Sequence, residues 1–213
     1  MDSLRLKPIA FCGENPVMEL YVPGTEILAA AVSYWHGTYS PHGEGHALLV
    51  YLDAANAAAL RQPNVAIYAD NAPLARYLAD TFNQHFNGWK GLGFKDAAIT
   101  QARFFDESDT RQFFRVSCHS PQAMIDVLWM DIRSSDFRTF PDLNEGGFGV
   151  AGDEHYHVSN AIFLCGQGHI SLNQQSPSGE PITRTLPDGR FSSSVFVALS
   201  ETWVKLEPST STS

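Results

Sequence analysis

The sequence predicts a mainly β protein, a β-rich α+β fold in which antiparallel strands form a barrel or a barrel-like sheet with one packed helix. Two observations support this fold class. Many short segments alternate apolar and polar residues, as half-buried strands do, and clusters of Gly, Pro, Asn and Ser separate them. A single stretch, about residues 72–87, instead repeats its apolar residues at the helical spacing.

The strand segments follow from this alternation. Segments 27–39 and 46–53 flank residues 40–45, where one proline and two glycines predict a hairpin connection. Further strands are predicted at 65–69, 99–105, 112–118, 124–133, 157–165, 168–172 and 194–206. The segments 157–165 and 168–172 are expected to pair across Gly166 and Gln167, and residues 174–189 to form a long loop.

The predicted helix has recognisable ends. Asn71 can cap its start, and Pro73 lies in the first turn, where the missing N–H costs nothing. Gly88 follows as a natural stop. The apolar face repeats every four residues, at Leu74, Leu78, Phe82 and Phe86. We expect this face to pack on the sheet.

The meander of strands looks like the antiparallel barrels of the lipocalin (calycin) type. That resemblance implies an architecture and no activity. An open sandwich of the same strands is the alternative. The chain contains no internal repeat and no linker, so residues 1–206 are expected to form one β-barrel-like domain, with a disordered polar tail at 207–213.

Composition limits the partners. The chain has 14 Lys and Arg against 23 Asp and Glu, a net charge of −9, which argues against nucleic acid and anionic membranes. It also has no signal-like or membrane-spanning apolar run. The three widely spaced cysteines, Cys12, Cys118 and Cys165, are typical of reduced thiols in a cytoplasmic protein. A small-molecule ligand or substrate is the expected partner.

A binding pocket is predicted inside the barrel. Alternate residues of segment 27–39 share a face, and the small Ala29 and Ala31 on one face leave space beside larger aromatic rings. The predicted substrate-binding residues are Ser33, Trp35, Tyr39, Arg103, Arg115 and Trp129.

The first functional hypothesis is an enzyme that uses cofactor-free acid–base chemistry on an apolar or aromatic substrate, as isomerases, cyclases and hydro-lyases do. Asp126 shares a strand face with Leu128 and Met130, and an inward carboxyl would have a raised pKa. Arg103 and Arg115, on neighbouring strands, could pair with Asp126 or bind an anionic group of the substrate. The predicted acids and bases are His36, Tyr34, Asp126 and His157.

The second hypothesis is an enzyme that depends on a divalent transition metal. Two histidine clusters, at residues 42–46 and 153–157, carry imidazole and carboxylate groups that project to one side if the chain is extended. The alternative metal ligands are His42, Glu44, His46, His155 and His157. This hypothesis requires the two clusters to meet in space.

Two further possibilities stay open. An apolar cavity without convergent ionisable groups would indicate a non-catalytic carrier of a hydrophobic ligand. A homodimer is also possible, because the long half-polar strand 194–206 could pair with a second chain.

Overall fold

In a computed structural model, residues 6–83, 86, 88–109, 111–143 and 155–206 are described. The strands are β1 (Leu6–Glu14), β2 (Val17–Tyr21), β3 (Leu28–Tyr39), β4 (Gly45–Leu52), β5 (Val65–Ala69), β6 (Ile99–Gln101), β7 (Arg103–Asp109), β8 (Phe113–His119), β9 (Met124–Phe140), β10 (Tyr156–Leu172), β11 (Glu180–Pro181), β12 (Thr183–Thr185), β13 (Phe191–Ser193) and β14 (Val195–Leu206). The mainly β prediction is confirmed.

Twelve of these strands form one sheet. Its order is β6-β5-β4-β3-β1-β14-β10-β9-β8-β7, with β2 paired to β3, β14 and β11, while β12 and β13 form a separate pair. The ladders are antiparallel except for the parallel pair of β5 and β6. The sheet is therefore mixed, where a purely antiparallel one was predicted.

The sheet curls but does not close. Strands β6 and β7 are its two edges, yet only Ala102 separates them in the chain. In the described part of the chain, β6 and β7 form no ladder with each other. The molecule is thus barrel-like, and the closed barrel is not confirmed.

The two faces of the curled sheet carry separate apolar cores. The inner face contributes Tyr34, Leu48, Val116, Ile125 and Trp129, among others, to one core. The outer face contributes Trp35, Leu49, Ile67 and Trp203 to the other. Strands β3 and β4 supply both cores because successive side chains point to opposite faces. Side chains fill the interior of the curl, where a binding cavity was predicted.

The predicted helix begins where its cap was expected. Asn71 Oδ1 accepts a hydrogen bond from the Leu74 amide at 3.1 Å, and α2 (Ala72–Tyr77) follows. It continues as a π-helical turn, Leu78–Phe82, and its apolar stripe packs into the outer core. Residues 84, 85 and 87 of the predicted helix lie outside the described residues.

A second helix, α1 (Ala54–Leu60), was not predicted. Its cap is local, because the Asp53 carboxylate accepts a hydrogen bond from the Asn56 amide at 2.7 Å. Four of its seven residues are exposed alanines, so the sequence shows no apolar stripe at the helical spacing.

The hairpin predicted across Gly166 and Gln167 is wrong, because β10 runs straight through both residues. A Cβ at Gly166 would collide with the Asp131 carboxylate, and one at Gly168 would lie 2.6 Å from Met18 Cε. These glycines therefore allow close packing rather than a turn. The predicted loop 174–189 likewise contains β11 and β12.

The reason for expecting a homodimer also fails. Strand β14 lies in the middle of the sheet, paired with β1 on one side and with β10 on the other. Its backbone is therefore not an edge that a second chain could extend.

The cysteines are free thiols. Burial is the main reason that the pKa of Cys118 and of Cys165 is raised to about 12, which makes both thiols unreactive at neutral pH.

None of the described helices is long and apolar enough to cross a membrane. The predicted tail, 207–213, lies outside the described residues.

Candidate functional site

A backbone bulge in β14 places a carboxyl group on the outer face of the sheet. Before the bulge, Val195 and Val197 point to the inner core. Ser200 has a positive φ of 52°, and the register with β10 shifts beside it, between Ser159 and Ala161. The bulge reverses the alternation, so Glu201 and Trp203 point outward.

Glu201 lies at a large cavity on that outer face. The cavity has a volume of about 1140 Å³ and lies over β9, β10 and β14. Its lining is rich in apolar side chains, including Phe86, Phe140, Val158, Ile162, Phe196 and Trp203. This volume and lining suit an apolar or aromatic small molecule.

The carboxyl of Glu201 is buried, with 3% of the residue exposed. Trp203 Nε1 donates a hydrogen bond to Oε1 at 2.6 Å, and Asn160 Nδ2 donates one to Oε2 at 3.1 Å. Burial raises the pKa of Glu201 to about 7, although both hydrogen bonds act to lower it. Near neutral pH the carboxyl therefore exists in both protonation states.

Asn160 offers a second polar group at the cavity. Its Nδ2 is used by Glu201, but its buried Oδ1 has no hydrogen-bond partner among the described residues. Buried polar atoms are normally satisfied, so this oxygen is suited to accept a hydrogen bond from a ligand hydroxyl.

The cationic groups around the cavity are already paired. Arg133, Arg138 and Arg190 each form an ion pair with the aspartate two residues earlier in the chain, at 2.6, 3.6 and 2.7 Å. Residues two apart on a strand share a side, which brings Asp136 next to Arg138 on β9, whereas Asp188 and Arg190 meet across a turn. The paired charges favour a neutral ligand over an anionic one.

The prediction that Asp126 points inward is wrong. Its neighbours Ile125 and Val127 fill the inner core, which turns Asp126 outward. Partial burial acts to raise its pKa, but hydrogen bonds from Ser117 Oγ at 2.5 Å and Arg115 at 3.0 Å outweigh it, and the pKa is lowered. The predicted pairing of Asp126 with Arg115 is confirmed.

Other predicted residues lie away from the cavity. His157 is on the face of β10 opposite to Val158 and Asn160. Trp35 is buried against Phe11, with ring centroids 5.2 Å apart. Trp129 is in the inner core and donates its Nε1–H to the Val17 carbonyl at 2.9 Å.

The remaining predicted binding residues are also dispersed. The Ser33 hydroxyl accepts a hydrogen bond from Asn15 Nδ2 at 2.9 Å. Tyr39 is half-exposed at the end of β3, and Arg103 is exposed at the start of β7. These three side chains therefore do not form a common pocket wall.

One end of the curled sheet brings together polar groups from four strands. These five residues, which we call the mouth cluster, are Glu14, Tyr34, His36, His46 and Asp106. The His36 and His46 rings stack with centroids 4.4 Å apart. The mouth cluster thus contains two predicted catalytic residues, Tyr34 and His36, and one predicted metal ligand, His46.

Charges at the mouth cluster act on both predicted catalytic residues. The Glu14 carboxylate, 3.9 Å from Nδ1, is the main reason that the pKa of His36 is raised, and burial opposes it. Burial, followed by the charges of Asp106 and Glu14, raises the pKa of Tyr34. The Tyr34 phenol is therefore un-ionised at neutral pH.

The two histidine clusters do not meet. The cluster at residues 42–46 lies at the start of β4, and the cluster at residues 153–157 precedes and enters β10. Strands β3, β1 and β14 lie between β4 and β10 in the sheet. His42 instead packs on Tyr77, and His155 Nδ1 bonds to Asp142 at 2.7 Å. The five alternative metal ligands thus form no single site. Residues 153 and 154 lie outside the described residues.

Sequence reasoning left Glu201 open as a general acid or a paired carboxyl in the middle of a strand, and it missed Asn160. The available signal was one glutamate in the strand segment 195–206, two residues before Trp203. That signal does not show on which face the glutamate lies, because the bulge decides it.

Comparison with protein-family models, with curated proteins and with solved structures finds no match for this chain.

Proposed function

We propose that this protein is a small-molecule enzyme that performs cofactor-free general acid–base chemistry on a neutral, apolar or aromatic substrate. The observation that carries the proposal is the buried Glu201 carboxyl, with a pKa of about 7, at a cavity of about 1140 Å³. Perturbed carboxyls in clefts are frequent at catalytic sites. The proton carrier is thus Glu201, in place of the four residues predicted from the sequence.

The chemistry follows from the protonation of Glu201. The ionised carboxylate takes a proton from a substrate carbon, and the resulting acid returns it to another atom of the same molecule. Isomerisation needs only these two steps, and elimination of water uses the same groups. The bonds from Trp203 and Asn160 hold the carboxylate in place during both steps.

The surroundings support the same reaction class. Burial of Glu201 limits the contact of its carboxylate with water, and the unpartnered Asn160 Oδ1 can orient a substrate hydroxyl. The buried, unreactive thiols of Cys118 and Cys165 fit a cytoplasmic location. The curled sheet supports a lipocalin-like comparison of architecture, although this cavity lies on the outer face of the sheet.

Hydrogen exchange at a carbon acid tests the proposal without knowledge of the natural substrate. The probe is 2-tetralone, an aromatic ketone, in D₂O at neutral pD with a chelator, followed by NMR. Glu201 would remove an α-proton to form the enolate, and a deuteron would return to the carbon. We expect Glu201→Gln to reduce the exchange rate by about 10²-fold or more, the usual contribution of a general base.

The matched control is Glu19→Gln. Glu19 is another glutamate whose pKa burial raises, but it does not line the cavity. This variant should exchange 2-tetralone as fast as the wild type. If Glu201→Gln and the wild type exchange at the same rate, acid–base catalysis by Glu201 is overturned. Binding of 2-tetralone without exchange would instead support the carrier hypothesis, which the apolar lining also favours.

A further inference from the structure

The mouth cluster contains three groups that metal ions prefer. One ligand atom each from Glu14, His36 and Asp106 lies within 4.8 Å of the other two. Metal–ligand distances of about 2.0–2.2 Å place ligand atoms roughly 3–4 Å apart, so small side-chain rotations would bring these three into range. Among these three groups, Glu14 and His36 already face each other as an ion pair, with Glu14 Oε2 3.9 Å from His36 Nδ1.

Strands from two separate parts of the sheet hold these three groups in place. Glu14 and His36 are direct partners in the ladder of β1 and β3, while Asp106 comes from the edge strand β7. Gly13 permits the close approach of β1, because a Cβ there would collide with the His36 carbonyl oxygen. Backbone contact therefore fixes the spacing of Glu14 and His36.

A second observation points to a ligand at this end of the sheet. The Tyr34 hydroxyl belongs to a fully buried side chain and has no hydrogen-bond partner among the described residues. Tyr34 and His36 are two residues apart on the same face of β3, so the hydroxyl belongs to the same end of the sheet. The buried His36 Nδ1 also has no hydrogen-bond partner in that part of the chain, although the Glu14 carboxylate lies 3.9 Å from it. Such atoms are rare and call for an explanation.

The neighbouring histidine supports the position of His36. His46 stacks on the His36 ring, and Asp70 holds His46 through its Nδ1 and its backbone amide, both at 2.6 Å. The Asp70 carboxylate therefore fixes the ring on which His36 stacks. The stacked pair limits rotation of the His36 ring.

We propose that Glu14, His36 and Asp106 bind one divalent first-row transition metal ion, of the zinc or manganese type, with the Tyr34 hydroxyl facing a water ligand of the ion. One imidazole and two carboxylates suit this class of ion. This site is separate from the Glu201 cavity, since it uses inner-face residues. The ion would join the edge strand β7 to the interior strands β1 and β3, with which β7 forms no ladder among the described residues.

The test uses the full chain, made metal-free and titrated with ZnCl₂ and MnCl₂ by calorimetry and by thermal unfolding. We expect one ion per chain and a rise in Tm on binding, because only the folded chain assembles the three ligands. Glu14→Gln and Asp106→Asn should each weaken binding by at least about 10-fold and remove the rise in Tm. Asp106 is exposed, so its variant should fold even if Glu14→Gln does not.

Two control variants separate this site from adventitious binding. Glu107→Gln changes the adjacent carboxylate, which points to the other face of β7, and His42→Ala removes a histidine outside the cluster. Both should bind the ion as the wild type does. The proposal is overturned if no ion binds, if the two ligand variants bind normally, or if His42→Ala abolishes binding. Glu201→Gln should leave binding unchanged, so the two proposals fail independently.

Discussion

Glu201 and Asp126 are carboxyl groups on the same outer face of one sheet, yet their surroundings move their pKa values in opposite directions. Glu201 is buried and accepts bonds from the neutral donors Trp203 and Asn160. The side chain of Asp126 is 33% exposed and is bound by Arg115 and Ser117. Burial has the larger effect on the pKa of Glu201, whereas the hydrogen-bonded partners together have the larger effect on the pKa of Asp126.

This difference shows why only one of these carboxyls suits proton transfer. A neutral donor satisfies a carboxylate oxygen but supplies no positive charge, so burial still keeps the pKa of Glu201 near 7. Hydrogen bonds from Ser117 and Arg115 favour the ionised form and lower the pKa of Asp126 below its ordinary value, so Asp126 holds no proton at neutral pH. Burial without a cation is therefore the feature that distinguishes the candidate site.

The largest expected effect on stability comes from Glu201→Gln. Because the folded-state pKa is raised from 4.5 to about 7, the wild type should lose stability as pH rises through that interval. A shift of this size corresponds to about 3 kcal/mol. Urea unfolding from about pH 4 to 8 should show the variant gaining roughly that amount relative to the wild type. Parallel pH profiles for the two proteins would contradict the burial of the Glu201 charge.

A smaller effect is expected from Trp203→Phe. The phenyl ring keeps an aromatic contact with Phe82 but cannot donate the bond to Glu201. Loss of a hydrogen bond to a charged group, about 1.5–3 kcal/mol, should raise the pKa of Glu201 by roughly 1 unit or more. The pH profile of 2-tetralone exchange measures this shift.

Trp129→Phe is the matched control for that change. Trp129 also donates its Nε1–H, but to the Val17 carbonyl in the inner core. The exchange profile of this variant should keep the wild-type midpoint. An equal shift in both tryptophan variants would mean that general loosening, rather than the lost bond, moves the pKa.

The smallest effect is expected from Asp126→Asn, with the opposite sign. The lowered pKa means that Asp126 stabilises the fold at neutral pH and that this contribution is lost as pH falls below 3.8. A partly exposed pair contributes at most about 1 kcal/mol after screening. Urea unfolding at neutral pH should show a small loss that shrinks at high salt. A gain in stability of Asp126→Asn over the wild type would contradict the proposed difference between Asp126 and Glu201.

Local features of the sequence predicted local features of the structure. The cap at Asn71 and the hairpin of β3 and β4 were predicted correctly because each depends on a few neighbouring residues. The glycines of β10 misled the prediction, since close packing against Met18 and Asp131 can require glycine as much as a turn does.

The candidate site depended on information that the local pattern does not contain. One extra residue in β14, Ser200, decides on which face Glu201 lies. One of the two neutral donors to Glu201 is Asn160, which lies on β10, 41 residues earlier in the chain. Its raised pKa is thus a property of the assembled sheet.

By itself, the sequence determined the mainly β class, the capped helix and the net charge of −9, because propensity, capping and charge are properties of single residues and near neighbours. Only the tertiary structure decided that the sheet curls without closing, that Asp106 meets Glu14 and His36, and that Glu201 faces an apolar cavity. Burial and long-range contacts set these features, and both depend on residues far apart in the chain.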